Sequence, residues 1–269
     1  MPLLSLNSFK SHISSSLMTI NSSRSYPPIN LQKNKAMNKI RITALGDSLT
    51  KGVILDEQNR YSLSDDAFID LVRNRLDSDI INYGRFGSTV TYGNKVIERH
   101  MAEICSSDYV FLEFGGNDCD FIWTDIASAP LADHSPKTSL ESFRNIYSDL
   151  IRRIRALGTR PLILSLPPII SDLYFSFICR SMDEEQKSNV LSWLGHDIDI
   201  ISRWHEDYNS TLYDIAESTR TDVIDVTAPF YSYEGDLRTL FCHDGIHPNA
   251  SGHRLIADAI TCSDIIHRS

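Results

Sequence analysis

The order of strand and helix signals predicts an α/β fold built on one doubly wound parallel sheet with right-handed crossovers. Two observations carry this reading. Short strand-like runs alternate with longer segments of helical spacing from about residue 40 to residue 260, and strands joined through helices run parallel when they share a sheet. The run YVFLEF at 109–114 is also mostly apolar, as a strand covered on both faces requires. The chain has 269 residues, of which 42% are hydrophobic and 23% charged. That is enough to bury a full core in one globular domain.

Residues 40–45 open the sheet with a short strand of β-branched content. Residues 65–76 follow as a helix, because Phe68, Leu71, Val72 and Leu76 recur at helical spacing after an acidic first turn. A second strand is expected at 80–83, a helix at 95–105 and the central strand at 109–114. Residues 138–157 form an amphipathic helix. Leu140, Phe143, Ile146, Leu150, Ile154 and Leu157 share one face, and Gly158 stops it. The fourth strand, 161–166, is closed by Pro167 and Pro168. Residues 169–195 carry aromatics and an acidic patch at 183–185, without a clear period. A long helix at 198–220, a strand at 222–226 and a helix at 250–260 complete the order.

Residues 1–36 differ in composition. They hold nine serines, four basic residues and no acidic residue, with no sustained periodicity. An unstructured extension is expected there, ahead of a folded domain at 37–269; an upstream extension of the true start and a transit peptide are the competing readings. No apolar run approaches the roughly 20 residues of a membrane helix. The net charge of −9 argues against a general nucleic-acid binder, whose affinity comes from neutralising phosphates. The five cysteines are scattered without a C-x-x-C pair. Free thiols and a cytoplasmic location are expected.

Three polar motifs stand at predicted strand-to-helix junctions. Gly46-Asp47-Ser48-Leu49 directly follows the first strand, placing the Ser48 hydroxyl at the carboxyl edge of the sheet. Gly115-Gly116-Asn117-Asp118 follows the most apolar strand. Its glycines permit a sharp turn, and the Asn117 amide can donate to an oxyanion. Asp244 and His247 are separated by two residues in Asp244-Gly245-Ile246-His247-Pro248, close enough for the carboxylate to hold the imidazole Nδ1–H. The turn after the second strand offers a backbone N–H near Gly87. A nucleophile, a base with its orienting acid, and oxyanion donors are what acyl transfer to water needs. Asp47 serves the loop as an N-cap.

Other readings weigh less. Cys242, His243, Asp244, His247 and His253 cluster as a metal site would, but no second ligand cluster accompanies them. No G-x-S-x-G elbow, P-loop or G-x-G-x-x-G occurs.

Over roughly residues 38–262, these motifs resemble the SGNH, or GDSL-type, hydrolases. The resemblance implies a flavodoxin-like three-layer α/β/α sandwich with a parallel sheet of about five strands. It implies Ser48 as nucleophile, with Asp244 and His247 completing a catalytic triad. The N–H groups of Ser48 and Gly87 and the Asn117 amide would form the oxyanion hole. The implied chemistry is metal-independent and needs no cofactor, acting on a small-molecule ester. An O-acetyl carbohydrate is the favoured substrate. A lysophospholipase or acyl-thioesterase, and a catalytically silent binding module, are the alternatives. Residues 169–209 exceed what a minimal member needs; they either cover the pocket or pack as a surface helix pair.

Overall fold

A computed structural model describes residues 39–267. The expected extension at 1–36 lies outside the described residues. In chain order the strands are β1 (Arg41–Gly46), β2 (Val53–Leu55), β3 (Tyr61–Leu63), β4 (Asp79–Asn82), β5 (Tyr109–Glu113), β6 (Arg160–Leu164) and β7 (Asp222–Ile224). The helices are α1 (Ser48–Lys51), α2 (Phe68–Arg75), α3 (Thr91–Arg99), α4 (Met101–Ser106), α5 (Trp123–Ser128) and α6 (Leu140–Ala156). They continue as α7 (Ser171–Ile178), α8 (Glu184–Trp193), α9 (Ile200–Thr219), α10 (Ala228–Tyr231), α11 (Ala250–Thr261) and α12 (Asp264–His267).

Among the described residues, five strands form one sheet in the order β4-β1-β5-β6-β7, with every pairing parallel. The chain runs outward from β1 to β4, then returns past β1 to β5. That reversal makes the β1–β5 junction a topological switch point, where open α/β sheets collect their ligands beyond the strand carboxyl ends. In register, Ala44 lies opposite both Asn82 and Phe111, and Gly46 lies opposite Glu113. The ends of β1, β4 and β5 therefore deliver their loops to one place.

Alternation along the strands fills both faces. Phe111 and Tyr109 of β5 join Ile42, Phe68, Val72, Phe230 and Ile256 on the side of α2 and α11. Val110 and Leu112 join Leu45, Phe143, Leu150, Ile154 and Leu212 on the side of α3, α6 and α9. The α6 face differs from the reading at two positions: Tyr147, mid-helix, is buried and its hydroxyl donates to the Leu112 carbonyl at 2.9 Å, whereas Leu140 at the helix start is exposed. A third apolar cluster, with Phe121, Trp123, Ile126, Val190, Leu194 and Ile201, is contributed by α5, α8, α9 and adjoining loops.

Several expectations change. The helix expected at 95–105 starts earlier, at Thr91, and is interrupted at His100, whose backbone leaves the helical region (φ −129°, ψ 33°). Its ring meets the Tyr83 hydroxyl at 2.9 Å. The β2–β3 hairpin has no counterpart in the sequence reading. Its turn rests on the Asp56 carboxylate, which accepts from the Gln58 and Arg60 amides. The stretch without clear period contains α7 and α8. The acidic patch there is the start of α8, a capping box between Asp183 and Gln186. Among the described residues, no helix is long and apolar enough to cross a membrane.

Candidate active site

The site begins with a backbone that only glycine fits. A Cβ on Gly46 would lie 2.1 Å from Thr50 Oγ1 and 2.7 Å from the Glu113 carbonyl oxygen, so β1 can pass β5 closely and turn at once into α1. Asp47 caps that turn: its Oδ1 accepts the Leu49 N–H at 2.8 Å. Ser48 becomes the first helical residue, largely buried, with its hydroxyl at the end of β1.

The loop before α11 brings the other two groups. His247 Nε2 lies 2.9 Å from Ser48 Oγ. His247 Nδ1 lies 2.7 Å from Asp244 Oδ2. Asp244 Oδ1 also accepts the backbone N–H groups of Ile246 and His247, at 3.2 and 3.1 Å. The carboxylate is thus locked by its own loop, with no accessible surface, and the His247 side chain is only 5% exposed. Tyr61 of β3 packs edge-on against the His247 ring, and Phe86 stacks over it. The line Ser48–His247–Asp244 can pass a proton from hydroxyl to imidazole while the carboxylate steadies the resulting charge.

Ser48, Gly87 and Asn117 line one cavity. Gly87 sits in the left-handed region (φ +68°), and open space lies where its Cβ would be. Neither the Ser48 nor the Gly87 amide donates to an acceptor among the described residues. The Asn117 amide is held from behind, its Nδ2 donating to Asp47 Oδ2 at 2.8 Å. Asp118 ties the Gly87 loop to the Asn117 loop by accepting the Val90 N–H at 3.1 Å on both oxygens. Burial raises the Asp118 carboxyl to about 7.

Beneath the nucleophile lies a second carboxyl group, Glu113 at the end of β5. Its Oε2 accepts from the Thr50 hydroxyl at 2.8 Å and from the Asp47 N–H at 3.5 Å. Burial, followed by the neighbouring Asp47 charge, pushes Glu113 well above the usual carboxylate range. Burial raises Asp47 too, opposed by the Leu49 N–H and Asn117 amide that favour its ionised form. Burial thus disfavours charge on both carboxyl groups, and the donors around Asp47 oppose it there. Sequence reasoning missed Glu113, although it is the one charged letter in YVFLEF.

A cavity of about 290 Å³ opens from Ser48 and His247 across the Asn117 loop. Its lining also includes Phe121, Trp123, Tyr174, Ile201, Trp204 and His205. Residues 169–209 thus line the pocket and also pack among themselves through Val190 and Leu194. Inside it, Asp120 accepts from Trp123 Nε1, the Tyr174 hydroxyl and Lys137 Nζ at 2.7–2.8 Å. The histidines read as metal candidates are dispersed in role. His243 is exposed, while His253 is buried and stacked on Phe68. Among the described residues, no three His, Cys, Asp or Glu side chains are grouped to hold a metal ion.

Residues 44–255 match the GDSL-like Lipase/Acylhydrolase family. The chain is 22% identical to an uncharacterised lipoprotein, YqeF, of Bacillus subtilis over 84% of its own length and 90% of that protein. Its fold is similar to a lipase/acylhydrolase from Enterococcus faecalis, with 20% identity, 82% and 93% of the two chains covered and a TM-score of 0.57. It is also similar to Axe2, an acetylxylan esterase from Geobacillus stearothermophilus, with 19% identity, 82% and 92% coverage and a TM-score of 0.55. Both similarities are of fold, and in this chain the fold is a parallel five-stranded sheet flanked by helices. The chain therefore belongs to the GDSL-like, or SGNH, hydrolase family.

Proposed function

We propose that this protein is a carboxylic ester hydrolase that works through an acyl-enzyme. One observation carries the reading: the Ser48 hydroxyl lies 2.9 Å from His247 Nε2 while Asp244 holds Nδ1 at 2.7 Å. In that arrangement His247 takes the Ser48 proton as Oγ bonds to the acyl carbon, and the carbonyl π electrons move to oxygen. The N–H groups of Ser48 and Gly87 and the Asn117 amide receive that oxyanion. Collapse re-forms the carbonyl and breaks the bond to the alcohol oxygen, which leaves with the proton from His247. Water then repeats the sequence on the acyl-enzyme, releasing the acid and returning the proton to Ser48. Every proton in this cycle moves between side chains, substrate and water, so the scheme calls for no cofactor.

Removal of an O-acetyl group from a carbohydrate requires room for only a methyl group beside Ser48. The apolar walls of the 290 Å³ cavity support a larger acyl group as an alternative. The five free thiols suit a reducing compartment, and a cytoplasmic location is proposed on that ground.

The test is hydrolysis of para-nitrophenyl esters across a range of acyl lengths, with Ser48→Ala as control. Turnover lost in the variant supports the serine mechanism. Wild-type rates no higher than those of Ser48→Ala on every ester would instead leave a binding module on the same fold.

A further inference from the structure

His205 is 95% buried by its 5% residual exposure, yet its ring makes no hydrogen bond among the described residues. A buried polar group without a partner requires an explanation, because leaving it so costs free energy. The two buried side-chain atoms that are fully enclosed without a partner, among the described residues, are Ser78 Oγ and His253 Nε2. The His205 nitrogens are not among them, so they retain contact with open space, and the space that His205 lines is the cavity. Burial lowers this imidazole to about 4, so near neutrality it offers one donor and one acceptor without charge.

Direction matters as well. His247 must hand its proton to the departing alcohol, so the alcohol portion belongs on the His247 flank, beside Tyr61 and Phe86. The lining that makes no ring contact with His247 is left for the acyl portion. That lining holds rings and branched chains, including Phe121, Trp123, Ile201 and Trp204. Asp120 already receives three donors. His205 is a buried polar residue of that lining with both ring nitrogens unused.

We propose that this lining of the cavity forms the acyl site, and that His205 selects acyl groups whose apolar or aromatic body carries a neutral hydrogen-bonding group such as a hydroxyl. The inference rests on the ester-hydrolase reading. A site built around a buried polar group discriminates through it, because a substrate lacking the matching group leaves both the imidazole and its cavity unsatisfied.

Matched para-nitrophenyl esters test this: phenylacetyl against its ring-hydroxylated forms, and octanoyl against hydroxyoctanoyl isomers. In the wild type, the hydroxylated member of at least one pair is expected to lead by about tenfold or more in kcat/KM. His205→Leu should bring that ratio close to one, and His205→Gln, which keeps a donor and an acceptor, should retain part of it. Ile201→Trp narrows the same cavity and should lower octanoyl turnover relative to acetyl turnover. It keeps the acyl-site assignment testable if the His205 variants fail to fold. Esters cleaved with no hydroxyl preference, or with a preference unchanged in a folded His205→Leu, would overturn the role of His205. An unchanged octanoyl-to-acetyl ratio in Ile201→Trp would overturn the acyl-site assignment. If the wild type cleaves no ester at all, the ester-hydrolase reading falls first and this inference falls with it.

Discussion

Asp47 and Asn117 are joined by a 2.8 Å hydrogen bond from the amide Nδ2 to the carboxylate Oδ2. The other oxygen of the same carboxylate holds the Leu49 N–H and so fixes the turn that presents Ser48. One buried side chain therefore sets the nucleophile loop and the amide donor together. Asp47→Ala should lower kcat about 10²-fold while KM stays within a few-fold, since the lost alignment matters most where charge develops. Loss of the cap should also cost about 1 kcal/mol of stability. Steady-state kinetics together with urea melts will check both. A variant with full kcat would show that Asn117 holds its place without Asp47.

Asp244 is expected to act through the imidazole tautomer rather than through charge alone. Its Oδ2 faces Nδ1 while Oδ1 is occupied by two backbone amides. In Asp244→Asn the amide can present N–H to Nδ1 and favour the tautomer with its proton on Nε2, facing Ser48. By analogy with serine hydrolases of unrelated fold, kcat should fall about 10⁴-fold with the fold intact. A loss of less than tenfold would remove Asp244 from the orienting role.

The parts of the molecule that were readable in advance were those with local signals. Ser48, Asn117 and His247 each stand in a short motif beside a strand end or a helix start, so their letters and positions suffice to place them at one edge. The β2–β3 hairpin lacked such a signal. Its strands have three residues each, β3 is exposed throughout, and no alternation can develop. Tyr61, which packs on His247, was missed with it. Glu113 is plainly visible as a letter, but its meaning comes from register: it lies opposite Gly46, on a strand far away in sequence. His205 shares a helix face with Ile201 and Tyr208 and reads as an ordinary core position. Only packing by α7 and the residues around Trp123 turns that face into a cavity wall.

His253 gives an acid-stability prediction. Its Nδ1 accepts the Phe68 N–H at 3.3 Å, its ring stacks on Phe68, and burial lowers it to about 4. Between about pH 6.5 and 4 the unfolded chain takes up a proton on this residue that the native state refuses. Stability is therefore lost as pH falls through that window, on the order of 3 kcal/mol from this one group. His205 pulls in the same direction, whereas Asp118, raised to about 7, favours the native state as pH falls. Wild type alone would mix these effects, so the informative quantity is the difference between wild type and His253→Gln. That difference should shift in favour of the variant as pH drops from 6.5 to 4. Parallel melting curves across the window would show that His253 is protonated in the native protein as readily as in the unfolded chain.

Glu113 makes the opposite prediction at higher pH. Burial and the Asp47 charge favour the protonated form of its carboxyl. The unfolded chain releases that proton near the ordinary glutamate value, about 4.5, while the native state releases it at a higher pH. The contribution to stability is therefore full below that pH and declines as pH rises toward the folded value. Glu113→Gln keeps an oxygen for the Thr50 hydroxyl and an N–H to face Asp47, but does not titrate. Its stability relative to wild type should rise steadily from pH 5 to pH 9. Glu113→Ala leaves the buried Thr50 hydroxyl without its 2.8 Å partner and should be destabilised by about 1–3 kcal/mol at every pH. Urea melts at several pH values distinguish the two. Because Glu113 steadies Asp47 and, through it, Asn117, Glu113→Ala should also lower kcat more than it raises KM, and Glu113→Gln should recover most of that loss. If Gln and wild type instead keep a constant stability difference with pH, the Glu113 carboxyl is not raised in the folded protein.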